Sequence, residues 1–504
     1  MCHTTGLGKQ NPLIQGIKGN VLVDEDSFVA LINHAPTHDT EQHQGGIQSG
    51  GAAKGQAHHS DSPGEMGRGG NEKEEEQARN STTCNSGTFL PIEQDAIVEH
   101  NFNDSFRDRE FVYNNYSMAL VGLAVQNASG QRYSTFIQER ILDLLGMDGI
   151  IATRCRMESH QNVAVGYVKL KDNTLSEVAT EAMTDDAHTP ILSVIGVRSS
   201  VDDMLKLTKA MIAAYNREVD QSEEHHESKA ANPLRQVSTI WKTWAEIDEG
   251  LSYGMGCYKL KFPSLSFSSG GINAKTRSEE PEFFKSHVVG QDLLDSPEHV
   301  KDNVIAHVGY NNGFTSSVTI FPRTQTAIVA LANGMDLGDP TDWAVKILAQ
   351  ALFETTPQVD LVALATKEAD LWRRWFDNIL IEWLADRRIM HQESDLAEYV
   401  GDYEGLNTTV HIFLNPETAH LAMTINSCEG SRFGLELYGY DTYSFFPLTK
   451  DEWLRNGMWD WDEYYVAVLY FHRDDDGKVN RFSWRYEAAE EDGRFYKTQG
   501  METP

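Results

Sequence analysis

Four short motifs, in a fixed order along the chain, contain residue types that enzymes often use for chemistry. They are His3-Thr4-Thr5-Gly6-Leu7, Tyr113-Asn114-Asn115, Gly196–Asp203, and His307-Val308-Gly309, which runs into Asn312-Gly313-Phe314. Tyrosine and histidine can transfer protons, and asparagine can hold a carbonyl or amide group. Taken alone, a Tyr-x-Asn before a helix is usually a capping feature, and a strand histidine is usually a packed residue. The order of the four motifs therefore matters more than any single match.

Several common signatures are missing from the sequence. It contains no H-E-x-x-H, no G-x-x-x-x-G-K-[ST], no strand-linked G-x-G-x-x-G and no C-x-x-C pair among its five cysteines. The sequence therefore gives no motif evidence for a zincin or a P-loop enzyme. Neither a zinc site nor a disulfide framework is indicated. We predict no metal and no cofactor.

Together the motifs resemble the β-lactamase and penicillin-binding-protein superfamily of serine hydrolases, in particular its class C-like branch of esterases, D-aminopeptidases and acyltransferases. The family's H-T-S-G-L segment is similar to the stretch from His3 to Leu7, its Y-x-N motif to Tyr113 and Asn115, and its H-x-G strand to His307-Val308-Gly309. The segments ILDLLGM and TAIVALANG also resemble pieces of that family. The resemblance covers nearly all of residues 1–355 outside a polar insertion.

The resemblance implies roles for five residues around one cleft. Tyr113 would be the catalytic base, Asn115 would hold the amide or carbonyl side of the substrate, and His307 would supply charge or a donor toward the leaving group. The backbone N–H of Tyr310 would form half of an oxyanion hole. Gly309 would be glycine because a side chain there would point to where the substrate lies.

The family's nucleophile stands in S-x-x-K at the start of a helix, where serine and lysine share a face. No serine of this chain has lysine three residues on, and the near match Thr239-Ile240-Trp241-Lys242 is out of order and reads as structural. The motif would precede His3, so we expect either a shortened form of a longer enzyme, which we favour, or a protein that has lost catalysis. Lost sheet strands would expose backbone edges and apolar surface, so we expect poor stability or a need for a partner.

The function expected from the resemblance is hydrolysis or transesterification of a small ester or amide through an acyl-serine in the complete form. This chain, lacking S-x-x-K, is predicted not to turn over substrate. The alternative is a non-catalytic protein that keeps the cleft and binds a ligand or a partner. The identity of the substrate and the oligomeric state stay open.

Composition bounds the partners and the location. The 43 Lys and Arg residues against 75 Asp and Glu residues leave a net charge of −32, which would repel a phosphate backbone or an anionic bilayer. No apolar run is long enough to span a membrane. No signal peptide is visible and the cysteines are scattered, so we favour a cytoplasmic location.

Periodicity predicts an α+β fold with an antiparallel sheet flanked by helices over residues 1–355, interrupted by a disordered insertion at 34–104. Helices are expected at Tyr116 to Gln126 and Thr135 to Leu145. A third helix should open with Ser200 as N-cap, and its buried stripe should run from Val201 through Leu205 to Ile212.

Short β-branched strands are expected at Val304 to His307, Ser317 to Phe321 and Ala327 to Ala332. A connecting helix should occupy 356–395, and period-two patterns over 396–504 predict a separate antiparallel, barrel-like β domain similar to the lipocalin-like domain of this branch.

Overall fold

The computed structural model describes residues 13, 21–33, 111, 113–178, 189–219, 232–248, 250–262, 302–335, 337–355, 358–388, 395–428, 432–457, 463–486 and 492–498. All of them belong to one compact unit of the chain. The motif His3-Thr4-Thr5-Gly6-Leu7 and the insertion predicted at 34–104 lie outside these residues. The other three motifs lie within them.

The helices and strands up to residue 352 alternate along the chain, as expected for a mixed fold. In chain order they are α1 (Glu25–Asn33), α2 (Asn115–Ser129), α3 (Tyr133–Ile137), α4 (Arg154–Ser159), β1 (Gly166–Lys169), β2 (Leu175–Val178), α5 (Val201–Val219), α6 (Val237–Ile240), β3 (Ala245–Asp248), β4 (Leu251–Tyr253), β5 (Tyr258–Phe262), β6 (Asp302–Asn311), β7 (Phe314–Phe321), β8 (Thr326–Ala332), β9 (Gly334–Met335) and α7 (Pro340–Leu352). The predicted strands and the helices predicted at Tyr116 to Gln126 and from Ser200 are present, mostly with longer bounds. The helix predicted at Thr135 to Leu145 is α3 continued by a π-helical segment, Gln138–Leu142, so it ends three residues earlier than predicted.

The main sheet, within the residues that the structure describes, has six antiparallel strands in the order β3-β4-β5-β6-β7-β8. In the β6–β7 register, His307 lies opposite Val318 and Gly309 lies opposite Ser316. Because side chains alternate along a strand, His307 and Gly309 share a face with Ile305. A smaller sheet has the order β2-β1-β9.

Each face of the main sheet is covered by helices. One face packs against α5 and α6 through a buried cluster of Ile212, Ala214, Val237, Trp241, Cys257, Ile305 and Ile320. The other face packs against α7 and the following helix through Leu260, Phe262, Val304, Ala306, Phe321, Ile328, Trp343, Val345, Ala349, Leu361 and Leu364. Helix-covered faces on an antiparallel sheet confirm the predicted α+β class.

Helix α5 departs from its predicted packing. Val201 and Leu205 are each 40% exposed, so the predicted buried stripe is wrong for the first turns of the helix. Apart from the polar Asp203, the buried residues lie farther along, at Thr208, Ala210, Ile212 and Ala214, where α5 packs against β8. Sequence periodicity gives the apolar face of a helix but does not give the point at which its partner surface ends.

The C-terminal part of the chain forms a long helix followed by a nearly closed antiparallel barrel. Its elements are α8 (Leu361–Asp386), β10 (Gly401–Gly405), β11 (Thr408–Leu414), β12 (Leu421–Ile425), β13 (Phe433–Gly434), β14 (Glu436–Gly439), β15 (Thr442–Ser444), α9 (Lys450–Arg455), β16 (Val468–Arg473), β17 (Val479–Trp484) and β18 (Gly493–Lys497). The described strands follow the order β13-β12-β11-β10-β18-β17-β16-β15-β14. Only Leu435 separates the two edge strands β13 and β14, so the sheet must curl round on itself.

Aromatic residues fill the space inside this barrel and beneath α8. Tyr403, Phe482 and Phe495 are fully buried among the strands. From α8, Trp383 reaches the barrel, where its Nε1–H donates to Ser444 Oγ at 2.9 Å. The same continuous core includes Tyr116 of α2, so the barrel and the N-terminal elements share buried surface.

Three further observations concern membranes, metals and thiols in the described part of the chain. No helix there is both long and apolar enough to cross a membrane. No group of three or more His, Cys, Asp or Glu side chains there could hold a metal ion. Cys155 is disulfide-bonded, which the scattered cysteines did not predict, whereas Cys257 and Cys428 are free thiols.

Replacement of Trp383 by alanine tests the contribution of α8 to the barrel. Trp383 is completely buried and its ring contacts those of Tyr438 and Phe446. Trp383→Ala should lower the free energy of unfolding in urea by about 3–5 kcal/mol, as expected when a large buried aromatic is removed. The neighbouring Leu384 is 54% exposed, so Leu384→Ala should stay within about 0.5 kcal/mol. Equal losses in the two variants would contradict this packing.

Candidate functional site

Helix α2 begins at the Tyr-x-Asn motif because the middle residue of the motif caps it. Asn114 is 2% exposed, has an extended backbone, and its Oδ1 accepts from the N–H groups of Tyr116 at 2.9 Å and Ser117 at 3.0 Å. Asn115 is the first residue of the helix and is partly exposed. The cap fixes the direction in which the chain enters the helix, and thereby fixes the position of Tyr113.

Tyr113 and His307 come from distant parts of the sequence and lie side by side. Their ring centroids are 6.3 Å apart, and the ring of Tyr113 also lies edge-on to Tyr253 at 6.4 Å. Tyr258 lies 5.9 Å from His307 and 4.8 Å from Tyr253, and Phe111 lies 5.0 Å from Tyr253. We call Phe111, Tyr113, Tyr253, Tyr258 and His307 the aromatic cluster. The catalytic roles of its members stay predictions.

Burial in the aromatic cluster shifts the pKa of His307 and the pKa of Tyr258 toward the neutral form of each group. Burial lowers the pKa of the His307 imidazole from its ordinary value of 6.5, against a smaller opposing effect of the Val308 backbone. Burial also raises the pKa of the Tyr258 phenol to about 12. The Tyr253 hydroxyl lies 3.5 Å from His307 Nε2, at the limit of a hydrogen bond. At neutral pH, His307 is therefore better suited to donate or accept a hydrogen bond than to supply charge.

Sequence reasoning missed Phe111, Tyr253 and Tyr258. Tyr253 is the last residue of β4 and Tyr258 is the first residue of β5. Strand β5 pairs with β6, where Tyr258 lies opposite Ala306. The signal available was a pair of tyrosines flanking a glycine-containing turn. Nothing in the spacing of that hairpin, however, relates it to His307 before the strand order is known.

A cavity of about 810 Å³ begins two residues along β6 from His307, at Gly309. Gly309, Tyr310 and Asn311 line it from β6, Thr315 and Ser316 line it from β7, and the remaining wall comes mainly from residues 149–164 and 192–204. Tyr113, Asn115 and His307 are not among the lining residues. The structure thus separates the five predicted site residues into a pair in the aromatic cluster, a pair on the cavity wall, and Asn115 at the helix start.

Gly309 faces a specific neighbour. A Cβ built on Gly309 would lie 2.7 Å from Ser316 Oγ, a side chain that lines the same cavity. The Ser316 hydroxyl in turn donates to the Gly309 carbonyl at 3.3 Å. A larger residue at position 309 would therefore meet the Ser316 hydroxyl. That the substrate itself lies beside Gly309 stays a prediction.

The serine and lysine side chains considered as nucleophile partners have structural surroundings. Ser200 caps α5, since its Oγ accepts from the N–H of Asp203 at 3.2 Å, as predicted. Lys242 of the near match lies over the ring of Trp244 at 5.3 Å, and the Trp244 Nε1–H donates to the Thr239 carbonyl. That segment is a packed turn.

A further serine stands in a segment with the spacing of a catalytic motif. Gly250-Leu251-Ser252-Tyr253-Gly254 has the spacing G-x-S-x-G of a nucleophile elbow, which requires a sharp strand-to-helix turn. Ser252 instead stands in the antiparallel strand β4, which is followed by β5, and its hydroxyl lies 3.1 Å from Thr243 Oγ1. The backbone context of an elbow is therefore missing, and the match is structural.

The fold and the site define a class of protein: an α+β domain with a helix-covered antiparallel sheet, whose H-x-G strand faces a Tyr-x-Asn helix start. The family profile described as Beta-lactamase matches residues 97–352. Because this match covers half of the sequence, the chain belongs to the beta-lactamase family, whose members are serine hydrolases.

Solved structures give distant likenesses. The octameric penicillin-binding protein homologue from Pyrococcus abyssi is 15% identical, with 77% of this chain and 65% of that chain covered and a TM-score of 0.35. The D-alanine carboxypeptidase AmpC from Burkholderia cenocepacia is 18% identical, with 48% and 60% covered and a TM-score of 0.31. This chain thus spans less than two thirds of either structure's length. No curated protein matches the sequence.

The lowered pKa of His307 predicts a pH dependence of stability. The unfolded chain takes up this proton near pH 6.5, whereas the folded chain takes it up only at lower pH. Between these values the unfolded state holds more protons, so the free energy of unfolding falls as the pH falls. In urea titrations from about pH 8 to about pH 5, His307→Gln should reduce the slope of the free energy of unfolding against pH, by up to the equivalent of one bound proton. His420→Gln, at a 66% exposed side chain, should keep the wild-type slope, and an unchanged slope in His307→Gln would refute the assignment.

The contact between Gly309 and Ser316 can be measured with a double-mutant cycle. Gly309→Ala should cost about 1 kcal/mol of stability, because its new Cβ forces the Ser316 hydroxyl away from the Gly309 carbonyl. In a Ser316→Ala background the same change should cost at least about 0.5 kcal/mol less. Additive effects, determined by urea denaturation, would show that the two positions are not coupled.

Proposed function

We propose that the aromatic cluster and the adjoining cavity form the cleft in which a serine hydrolase or transesterase of this family holds a small ester or amide. The observation that carries the proposal is the 6.3 Å separation of the Tyr113 and His307 rings. Strand β6 joins this pair to the cavity, because Gly309 and Tyr310, two and three residues after His307, line the cavity wall. Proton-transferring groups beside a space of this size, in a member of the beta-lactamase family, support acyl transfer.

The proposed roles follow from these positions. In the acyl-transfer step, a serine hydroxyl attacks the carbonyl carbon and gives up its proton, for which Tyr113 is the proposed base. The C–O or C–N bond to the leaving group then breaks, and the leaving group takes up the proton that Tyr113 accepted from the serine. His307, kept neutral by burial, would act as a hydrogen-bond partner on that side. The N–H of Tyr310 would stabilise the oxyanion, and water or an alcohol would release the acyl group.

We further propose that the chain as printed does not form the acyl-serine. S-x-x-K, the pair that supplies the nucleophile and its lysine in this family, does not occur in the 504 residues. Ser200 and Ser252 already have structural partners, at distances of 3.2 and 3.1 Å. In a form of the protein that carries the pair, the same cleft would be catalytic.

The second candidate function is binding without catalysis. It is favoured by one observation, namely that the cavity and the aromatic cluster are formed although the sequence has no S-x-x-K. A cleft that binds an ester or amide without cleaving it would serve as a ligand sensor or carrier.

Covalent labelling tests the proposed absence of turnover. The purified chain would be treated with a fluorophosphonate probe and, separately, with a fluorescent penicillin, and intact-protein mass spectrometry would record any adduct. We expect no adduct and no hydrolysis of p-nitrophenyl butyrate above the spontaneous rate. A stoichiometric adduct on any serine would overturn this part of the proposal.

Non-covalent binding tests the cleft itself. Saturation-transfer NMR with benzylpenicillin should show contact with the wild-type chain, weakened about tenfold or more in Tyr113→Ala, which removes a ring from the aromatic cluster. Tyr440→Ala, at a 62% exposed tyrosine of the barrel region, is the matched control and should bind as the wild type does. Equal binding by both variants would show that the aromatic cluster is not part of the binding site.

A further inference from the structure

The turn between β6 and β7 connects two strand ends that both line the cavity. Asn311 lies opposite Phe314 in the register, so Asn312 and Gly313 form a two-residue turn. Asn311 and Phe314 themselves line the cavity. Asn312 is only 4% exposed, although turns generally lie at the protein surface. The position of this buried turn therefore sets the position of that part of the cavity wall.

The β1–β2 hairpin packs closely against this turn. A Cβ on Gly313 would lie 2.5 Å from Val178 Cγ2 and 2.7 Å from the backbone nitrogen of Tyr167. A Cβ on Gly166 would lie 2.8 Å from the Asn312 carbonyl oxygen. The two backbones are thus in direct contact, and the turn has no room to move toward the hairpin.

The chain that leaves α9, in the barrel region, contacts the same turn. Gly457 lies two residues after the end of α9, and its N–H donates to the Leu454 carbonyl at 3.0 Å. A Cβ on Gly457 would lie 2.7 Å from Asn312 Cγ and 2.9 Å from Asn312 Nδ2. The Asn312 side chain therefore occupies the space that a larger residue at position 457 would need. This packing joins the barrel region to the strands that line the cavity.

Helix α9 is itself fixed to the barrel core and to the hairpin. Trp453 and Leu454 are each 1% exposed and belong to that core. The Trp453 ring lies 5.8 Å from the ring of Phe376 on α8. Near the start of α9, Asp451 Oδ1 accepts from the Lys171 N–H of the β1–β2 turn at 2.8 Å. Helix α9 thus links the barrel to both elements that meet at Asn312.

We propose that Gly457 and Asp451 are positioning residues for the cleft, through which the barrel fixes the β6–β7 turn and thereby the cavity wall and the N–H of Tyr310. The inference rests on the proposed function, because it concerns the same cleft. Neither Gly457 nor Asp451 is among the described residues that line the cavity. Their effect on a ligand is indirect, since close packing transmits a displacement of α9 to the strand ends beside the ligand.

Amide hydrogen exchange on the ligand-free full chain tests whether α9 fixes the turn. Gly457→Ala forces the Asn312 side chain away, so the amides of residues 309–315 should exchange about tenfold faster or more. Amides of β11, in the barrel, should change by much less. Equal rates at 309–315 in Gly457→Ala and the wild type, or an increase no larger than that in β11, would overturn the proposal.

Gly477, in the turn between β16 and β17, is the matched control. Its φ of 77° is close to the 68° of Gly457, but no atom of the described residues lies within 4 Å of the place of its Cβ. Gly477→Ala therefore introduces similar backbone strain without the contact. It should leave exchange at 309–315 unchanged, and an increase there equal to that in Gly457→Ala would contradict the proposal.

A double variant separates the contact from the strain. Asn312→Ala removes the side chain that the new Cβ would meet. Adding Gly457→Ala to Asn312→Ala should therefore raise exchange at 309–315 by less than about threefold. A further increase of about tenfold would show that Gly457→Ala acts through backbone strain rather than through Asn312, and would refute the contact.

Ligand affinity tests the positioning role. Benzylpenicillin binding, titrated by saturation-transfer NMR, should be about fivefold weaker in Gly457→Ala and unchanged in Gly477→Ala. Asp451→Ala, which removes the acceptor for the Lys171 N–H, should weaken binding about two- to fivefold. Asp451→Asn keeps an acceptor oxygen and should restore the wild-type affinity. Unchanged affinity in both Gly457→Ala and Asp451→Ala would overturn the positioning role.

The two readouts distinguish this proposal from the proposed function. If the wild-type chain binds no benzylpenicillin, the proposed function fails, and exchange at 309–315 in the ligand-free chain decides whether α9 fixes the turn. If the wild type binds and Gly457→Ala changes exchange without changing affinity, the cleft stands and the positioning role is refuted. Thermal melting confirms that every variant is folded.

Discussion

The register between β6 and β7 is the constraint on which the site depends. It places Gly309 opposite Ser316 and His307 opposite Val318. Strand alternation then puts His307 and Gly309 on one face, two residues or roughly 6–7 Å apart. A slip of one residue would turn both away from that face and bury polar groups against α7. One backbone pairing therefore fixes both the aromatic cluster and the glycine end of the cavity.

The buried surroundings of β6 hold this register. Ile305 packs against α5 and α6 on one face, while Val304 and Ala306 pack against α7 on the other. Apolar residues on both faces leave no low-energy alternative pairing, because a shift would exchange His307 with a core position. The same apolar surroundings lower the pKa of His307. The packing that positions the residue therefore also determines its protonation state.

Features that are encoded within a few residues could be predicted from the sequence. Features that depend on contacts between distant segments could not. Capping chemistry at Ser200 and β-branched strands such as Ala327 to Ala332 are encoded within a few residues, so their structures could be predicted. The exposure of Val201 and Leu205 depends on where the sheet beside α5 ends, which no local pattern contains. Tyr253 and Tyr258 belong to the site only because β5 pairs with β6. The family motifs linked Tyr113 to His307, since spacing alone could not.

The aromatic cluster and the cavity contact neighbouring parts of β6, at His307 and from Gly309 onward. Around His307, burial by Tyr253 and Tyr258 favours uncharged groups, so an ion placed there would lose solvation. From Gly309 onward, the described wall of the cavity is mostly apolar, with Leu192, Val194 and Leu331 among its residues. An uncharged ester or amide, the substrate class proposed above, would therefore lose less solvation beside either part of β6 than an ion would.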